Sequence, residues 1–145
     1  MTVVIDTNVV IQASDGSHSF SRIVDGWVQG KFLWAVSTDI LLEYEEVMTR
    51  MLGAARWHKF VRFMDLIDAT DGSLLRIATF FQFLTVPSDR DDDKFADCAI
   101  SVHADFIITE DRHFRPMIGS GYKPQPILPS DFIARFLQSQ PHLQP

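Results

Sequence analysis

Short apolar runs alternate along the chain with longer segments of helical period. The first run, residues 2–5, is rich in β-branched side chains and stops at Asp6-Thr7-Asn8, which we predict to be a polar turn. Similar runs occupy residues 32–36 and 106–108, and a weaker one is Ile127-Leu128. Because a parallel crossover needs a connection of helix length, this alternation predicts a parallel sheet covered on both faces. The expected fold is a three-layer α/β/α domain.

The helical segments between these runs show apolar residues at three- and four-residue steps. The clearest segment begins behind Ser37-Thr38-Asp39, which has the composition of a helix N-cap. Four of the seven prolines fall between residues 116 and 129, so we expect an irregular loop there, followed by a last helix over about 130–138. The apolar positions of the three clearest helices are Ile40, Leu41, Tyr44, Val47, Met48 and Met51; Trp57, Phe60, Val61, Met64 and Ile67; and Phe95, Ala99 and Val102.

The composition is that of one globular domain. The chain has 145 residues, of which 46% are hydrophobic, and a chain of this size buries roughly 68–70% of its unfolded surface without disulfide or zinc support. We expect a single domain over residues 1–140 and a disordered tail over 141–145. Cys98 is the only cysteine, the opening MTVVIDTN lacks a basic leader segment, and no run reaches the ~18 apolar residues of a membrane span. These features predict a cytoplasmic protein.

The charge balance limits how the protein could bind nucleic acid. The chain carries 13 Lys plus Arg against 19 Asp plus Glu, a formal net charge of −6. Binding through overall positive charge is therefore disfavoured, since it depends on neutralising phosphates with Lys and Arg. A nucleic-acid enzyme whose positive charge is supplied by a bound metal remains compatible with this composition.

Acidic residues gather where the predicted strands end. Asp6 directly follows the first strand, and Asp111 lies two residues beyond Thr109 at the end of the 106–108 strand. Ligands of open α/β sheets bind outside the carboxyl ends of the strands, so both carboxylates are expected at one edge. Asp93 and Asp97 are four residues apart at the start of the helix that leads into that strand, and so project from one helical face.

A further acid lies on the helix that follows the second strand. Glu43 flanks the apolar stripe of this helix and could face the sheet edge, but Glu45 on the opposite flank would serve nearly as well. Helical spacing leaves this choice open.

A set of four or five neighbouring carboxylates requires a compensating cation or protons. Taken singly, each acid is better explained as a cap or a solvated surface residue, but three of them at one predicted edge favour a metal site. Oxygen ligands without His or Cys suit Mg²⁺ or Mn²⁺, the ions of phosphoryl chemistry. A calcium loop beginning at Asp89 is excluded, because its sixth and twelfth positions would need Gly and Glu and the chain has Lys94 and Ile100.

Three segments of the chain resemble one known family. They are VVIDTNVVI at residues 3–11, STDILLEYEEVM at 37–48 and DRDDDKFADCAISVHADFIITEDRHF at 89–114. Together they resemble the PIN-domain ribonucleases, most closely the compact toxin subunits of prokaryotic toxin–antitoxin pairs. The resemblance implies a three-layer α/β/α domain that hydrolyses RNA with Mg²⁺ or Mn²⁺. It also implies a small antitoxin protein as partner, and often a homodimer.

The resemblance also assigns roles to individual residues. It implies that Glu43, and not Glu45, is the helix acid, and that Asn8 supports the first acid while Thr109 orients the last. Members of the toxin subgroup often have Asn at the position of Asp93 and an acid at that of Asp97, so both are retained as metal ligands. The implied catalytic acids are Asp6, Glu43, Asp93 and Asp111, and the implied metal ligands are these four with Asp97.

Basic residues directly follow the last of these acids. Arg112, His113 and Arg115 are close in sequence to the predicted edge, which makes them candidates for contacts with RNA. Metal-activated water would make a protein base at His113 unnecessary.

Cys98 lies beside Ala99 in a predicted helix, with no His on its helical face, and is expected to be a buried small residue.

Two other functions compete with the nuclease interpretation. A haloacid-dehalogenase-like phosphatase would use the Asp after the first strand as a nucleophile, but it usually needs a second Asp two residues later, where this chain has Asn8. That alternative also leaves Glu43 unexplained. A catalytically silent PIN-like scaffold that only binds protein or RNA is disfavoured because every expected acid is present.

Overall fold

Five parallel strands form the central sheet of the domain in a computed structural model that describes residues 1–78, 93–121 and 123–138. Their spatial order is β3-β2-β1-β4-β5. The expected tail over 141–145 and the residues 89–92 lie outside the described residues. The strands are β1 (Thr2–Ile5), β2 (Leu33–Ser37), β3 (Leu74–Ile77), β4 (Phe106–Ile108) and β5 (Gln125–Ile127).

Helices connect the strands and cover the sheet, which confirms the predicted three-layer α/β/α fold. No helix in the described ranges is long and apolar enough to cross a membrane. The helices are α1 (Thr7–Ala13), α2 (Ser21–Val28), α3 (Thr38–Leu52), α4 (Ala54–Asp71), α5 (Asp93–Ser101) and α6 (Pro129–Phe136), with a 3₁₀ helix at Arg112–Met117.

The central strand β1 positions the residues that follow it. It pairs with β4 through Val3↔Phe106 and onward to Ile5↔Ile108, and the Asp6 amide donates to the Ile108 carbonyl at 2.9 Å. Since β1 and β4 stay in register to their carboxyl ends, the residues after the two strands are neighbours. This edge is therefore the place where the acids of both strands can meet.

The core lies on both faces of β1 and β2. Trp34 of β2 is almost completely buried and meets the buried Trp27 ring edge-on, with ring centroids 5.3 Å apart. The Trp27 indole N–H donates to the Ser73 carbonyl at 3.0 Å, which satisfies its polar group inside the core. Aromatic packing thus fixes the β2 side of the sheet against α2.

The predicted bounds of β1 and β4 and the predicted start of α3 are correct. Ser37 is its N-cap, and the Ser37 hydroxyl accepts a hydrogen bond from the Ile40 amide at 3.2 Å. The last helix ends at Phe136, two residues earlier than expected, because Leu137 leaves helical geometry at φ −117°.

Other elements correct the sequence interpretation. The predicted polar turn at Asp6-Thr7-Asn8 is wrong: helix α1 begins at Thr7, and the Val10 amide donates to the Asp6 carbonyl at 3.1 Å. The loop expected over 116–129 contains the end of the 3₁₀ helix, and the weak run predicted at Ile127-Leu128 overlaps the short strand β5 only at Ile127. The sequence pattern does not predict helix α2 or edge strand β3.

Candidate active site

Asp6 lies at the carboxyl end of β1 with 6% of its surface exposed. It occupies the N-cap position of α1, yet its side chain makes no capping hydrogen bond. Its Oδ2 atom instead accepts a hydrogen bond from Thr109 Oγ1 at 2.7 Å. Burial raises the pKa of Asp6 from 3.8 to about 6, and the negative charges of Asp111 and Glu43 add to this increase.

Thr109 connects Asp6 to the acid that follows β4. It is 3% exposed, and its Oγ1 atom accepts a hydrogen bond from the Asp111 amide at 2.9 Å while donating to Asp6. Asp111 is the N-cap of the 3₁₀ helix, where its Oδ1 atom accepts from the His113 amide at 2.9 Å. One buried hydroxyl therefore ties the ends of two neighbouring strands together.

Glu43 approaches the same region from α3. Its Oε2 atom accepts a hydrogen bond from Thr7 Oγ1 in the first turn of α1, and its Oε1 atom lies 3.0 Å from the Lys94 ammonium of α5. Glu45, which helical spacing alone could not separate from Glu43, has an exposed side chain. We name Asp6, Glu43 and Asp111 the carboxylate site.

A buried tyrosine anchors α3 beneath this site. The Tyr44 hydroxyl donates to the Ile5 carbonyl, immediately before Asp6, and burial raises the pKa of Tyr44 well above its ordinary value. The residue after Glu43 is thereby bonded to the residue before Asp6, which fixes the spacing between the two backbones.

An open cavity of about 300 Å³ lies over Asp6 and Asp111. Asn8, whose side chain is exposed, also lines it. The lining residues among those described are Asp6, Asn8, Ile11, Gln12, Met51, Glu110 and Asp111. This set offers carboxylate and amide oxygens but no thiol, imidazole or primary hydroxyl that could serve as a nucleophile.

A second cavity of about 240 Å³ shares Glu110 and Asp111 with the first. The exposed residues Arg112 and Arg115 line it, so two guanidinium groups flank the carboxylate site. His113 does not line either cavity among the described residues, and its Nδ1 atom lies 3.3 Å from Asp111 Oδ1.

The donor chemistry of the site fits a hard divalent cation, since its acids and amides present only oxygen ligands at the cavity. Among the described residues, however, no three His, Cys, Asp or Glu side chains lie close enough together to hold a metal ion. Asp93 begins α5, and its side chain lies outside the described part of the structure. Asp97 is buried one turn later and is not among the described residues that line the 300 Å³ cavity.

A comparison with known families decides the class of this fold. The PIN-domain family model matches residues 2–113, which include β1 to β4 and every acid discussed above. The chain belongs to the PIN-domain family. PIN domains are generally nucleases that act on RNA and typically use divalent metals. No curated protein matches this PIN domain.

Sequence reasoning missed three residues of the site. Thr7 falls in the predicted turn, Lys94 enters only as a position that excludes a calcium loop, and Glu110 has no predicted role. The signal that could have found Thr7 and Lys94 is their position, one residue after Asp6 and Asp93 respectively in the first turns of helices. Cys98 is buried, as expected, and burial raises the pKa of its thiol to about 12. The thiol therefore stays protonated, which fits a residue that only packs in the core.

Proposed function

We propose that this PIN domain is a metal-dependent endoribonuclease and the toxin of a toxin–antitoxin pair. The observation that carries the proposal is the Asp6–Thr109–Asp111 connection beside an open cavity of about 300 Å³. Two acids are held by backbone and hydroxyl contacts at the carboxyl edge of a parallel sheet, where ligands of such sheets bind. Glu43 is near enough for its charge to raise the pKa of Asp6.

The proposed metal ligands are Asp6, Glu43 and Asp111, with Asp93 and Asp97 contributed by α5. A bound Mg²⁺ or Mn²⁺ would supply an activated water and neutralise charge on the leaving oxygen. The buried carboxyl of Asp6 favours such a role, because its ionised form is costly until a positive charge lies beside it. Thr109 holds Asp6 and Asp111 in a fixed relation to each other through its two hydrogen bonds.

The residues around the site suit an RNA phosphate backbone. Arg112 and Arg115 are exposed beside Asp111 and can contact phosphates of an RNA bound at the site. In a chain of net charge −6, phosphate-binding charge must be local to the site. Asn8 can donate an amide hydrogen bond at the cavity mouth.

The test is cleavage of a mixed pool of structured and single-stranded RNAs with Mg²⁺ or Mn²⁺. We expect cleavage that EDTA and the Asp6→Ala substitution both abolish. Attack by water leaves a 5′-phosphate and a 3′-hydroxyl, whereas attack by the RNA 2′-hydroxyl leaves a cyclic phosphate, so product end groups report the mechanism. Cleavage that survives both controls would contradict the proposal, and hydrolysis of a small phosphate monoester without RNA cleavage would favour a phosphatase.

The toxin role has its own test. We propose a small antitoxin protein and a homodimer as the partners, and a short upstream reading frame with a DNA-binding pattern would support the first. Expression of the wild-type chain should arrest growth of a host, and the Asp6→Ala variant should not. Robust cleavage in vitro without growth arrest would favour a housekeeping nuclease.

A further inference from the structure

Lys94 contacts the carboxylate site with a positive charge. It is the second residue of α5, and its ammonium lies 3.0 Å from Glu43 Oε1. The two side chains are only 25% and 21% exposed, so solvent screens their attraction less than in a surface pair.

The other oxygen of the same carboxylate is also engaged. Thr7 Oγ1 donates to Glu43 Oε2 from the first turn of α1. Both carboxylate oxygens of Glu43 therefore accept hydrogen bonds, one from Thr7 of α1 and one from Lys94 of α5. A divalent cation that uses Glu43 has to share or displace one of these contacts, and the ammonium is the donor that repels it.

We propose that Lys94 is the exchangeable counter-ion of the carboxylate site, which holds Glu43 in the metal-free protein and competes with the divalent metal for the same oxygen. The inference rests on the proposed metal-dependent function. Lys94 is thus a positioning residue that keeps Glu43 oriented and sets the metal affinity of the site. A lysine suits this role, because its flexible stem lets the ammonium move to solvent or to an RNA phosphate once it is released.

The chain offers a matched control at the other end of the sheet. Lys123 Nζ lies 3.4 Å from Asp105 Oδ1, and Asp105 directly precedes β4 at the amino end of that strand. This pair also joins an ammonium to a carboxylate, although its side chains are more exposed, at 60% and 33%, and it is remote from the carboxyl edge where the carboxylate site lies.

The experiment is calorimetric titration of Mn²⁺ into the full chain and three variants, at about 50 mM and about 500 mM salt. Lys94→Gln should bind Mn²⁺ roughly three- to tenfold more tightly than wild type at low salt, and by a smaller factor at high salt. Lys94→Arg keeps the charge and should restore the wild-type affinity. Lys123→Gln should leave the affinity unchanged.

The sign of the change separates this role from a structural one. If Lys94 only supported the fold, its loss would loosen the site and weaken Mn²⁺ binding. Equal or weaker binding by a folded Lys94→Gln variant, with wild type binding Mn²⁺ normally, overturns the counter-ion role and leaves the proposed function standing. Wild-type protein that binds no Mn²⁺ overturns both.

Discussion

Asp6 should make the metal-free protein less stable as pH rises. Its pKa lies at about 6 in the folded chain and at 3.8 in an unperturbed one, chiefly because the carboxyl is buried. Each pKa unit is worth about 1.36 kcal/mol, so ionising this group costs the fold up to about 3 kcal/mol. Because the folded pKa is the higher one, the stabilising effect of the protonated form is complete below about pH 4 and is lost as pH rises through about 6.

Asp6→Asn removes the charge and keeps an oxygen that can accept from Thr109 Oγ1. We expect this variant to be about 1–3 kcal/mol more stable than wild type near pH 8 in EDTA, and the difference to vanish towards about pH 4. The measurement is urea denaturation across that pH range. Glu45→Gln, which neutralises an exposed acid of α3, is the control and should change stability by less than about 0.5 kcal/mol. An Asp6→Asn variant that is less stable than wild type at both ends of the range would refute this reasoning.

Two further substitutions test neighbouring parts of the account. Tyr44→Phe removes the donor to the Ile5 carbonyl and leaves a buried acceptor without its partner, so urea denaturation should show a loss of about 1–3 kcal/mol; an unchanged free energy of unfolding would contradict this. Arg112→Ala removes an exposed guanidinium beside Asp111, so RNA affinity should fall and the slope of log affinity against log salt should decrease by about 0.7–1. An unchanged slope would exclude a phosphate contact at Arg112.

The sequence predicts the interior of this fold better than its edges. The runs at β1 and β4 are apolar and β-branched because both strands are buried between helices, and such runs are easily recognised. Strand β3 is short and partly exposed at the sheet edge, so its pattern is weak. Helix α1 begins with a polar pair that is typical of a turn, and its buried apolar residues pack in a region where α1 contacts α2 and α3, which a local pattern does not reveal.

Some residues of the site can be predicted from local sequence patterns, and others only from contacts between distant parts of the chain. The placement of Asp6 and Asp111 follows from strand ends, which sequence patterns predict. The choice of Glu43 over Glu45 depends on contacts with Thr7 and Lys94, which are 36 and 51 residues away in sequence. No local pattern contains that information, so only the resemblance to a family or the folded chain can supply it.

The most direct test of the central claim compares two neighbouring acids of α3. Glu43→Gln and Glu45→Gln make the same chemical change, one at the carboxylate site and one on the exposed face of the same helix. The rate of RNA cleavage with Mn²⁺ should fall at least about 100-fold for Glu43→Gln, since even residues that only support metal ligands cost 10–100-fold, and should stay within about twofold of wild type for Glu45→Gln. Equal rates for the two variants would contradict the assignment of the nuclease site to this edge of the sheet.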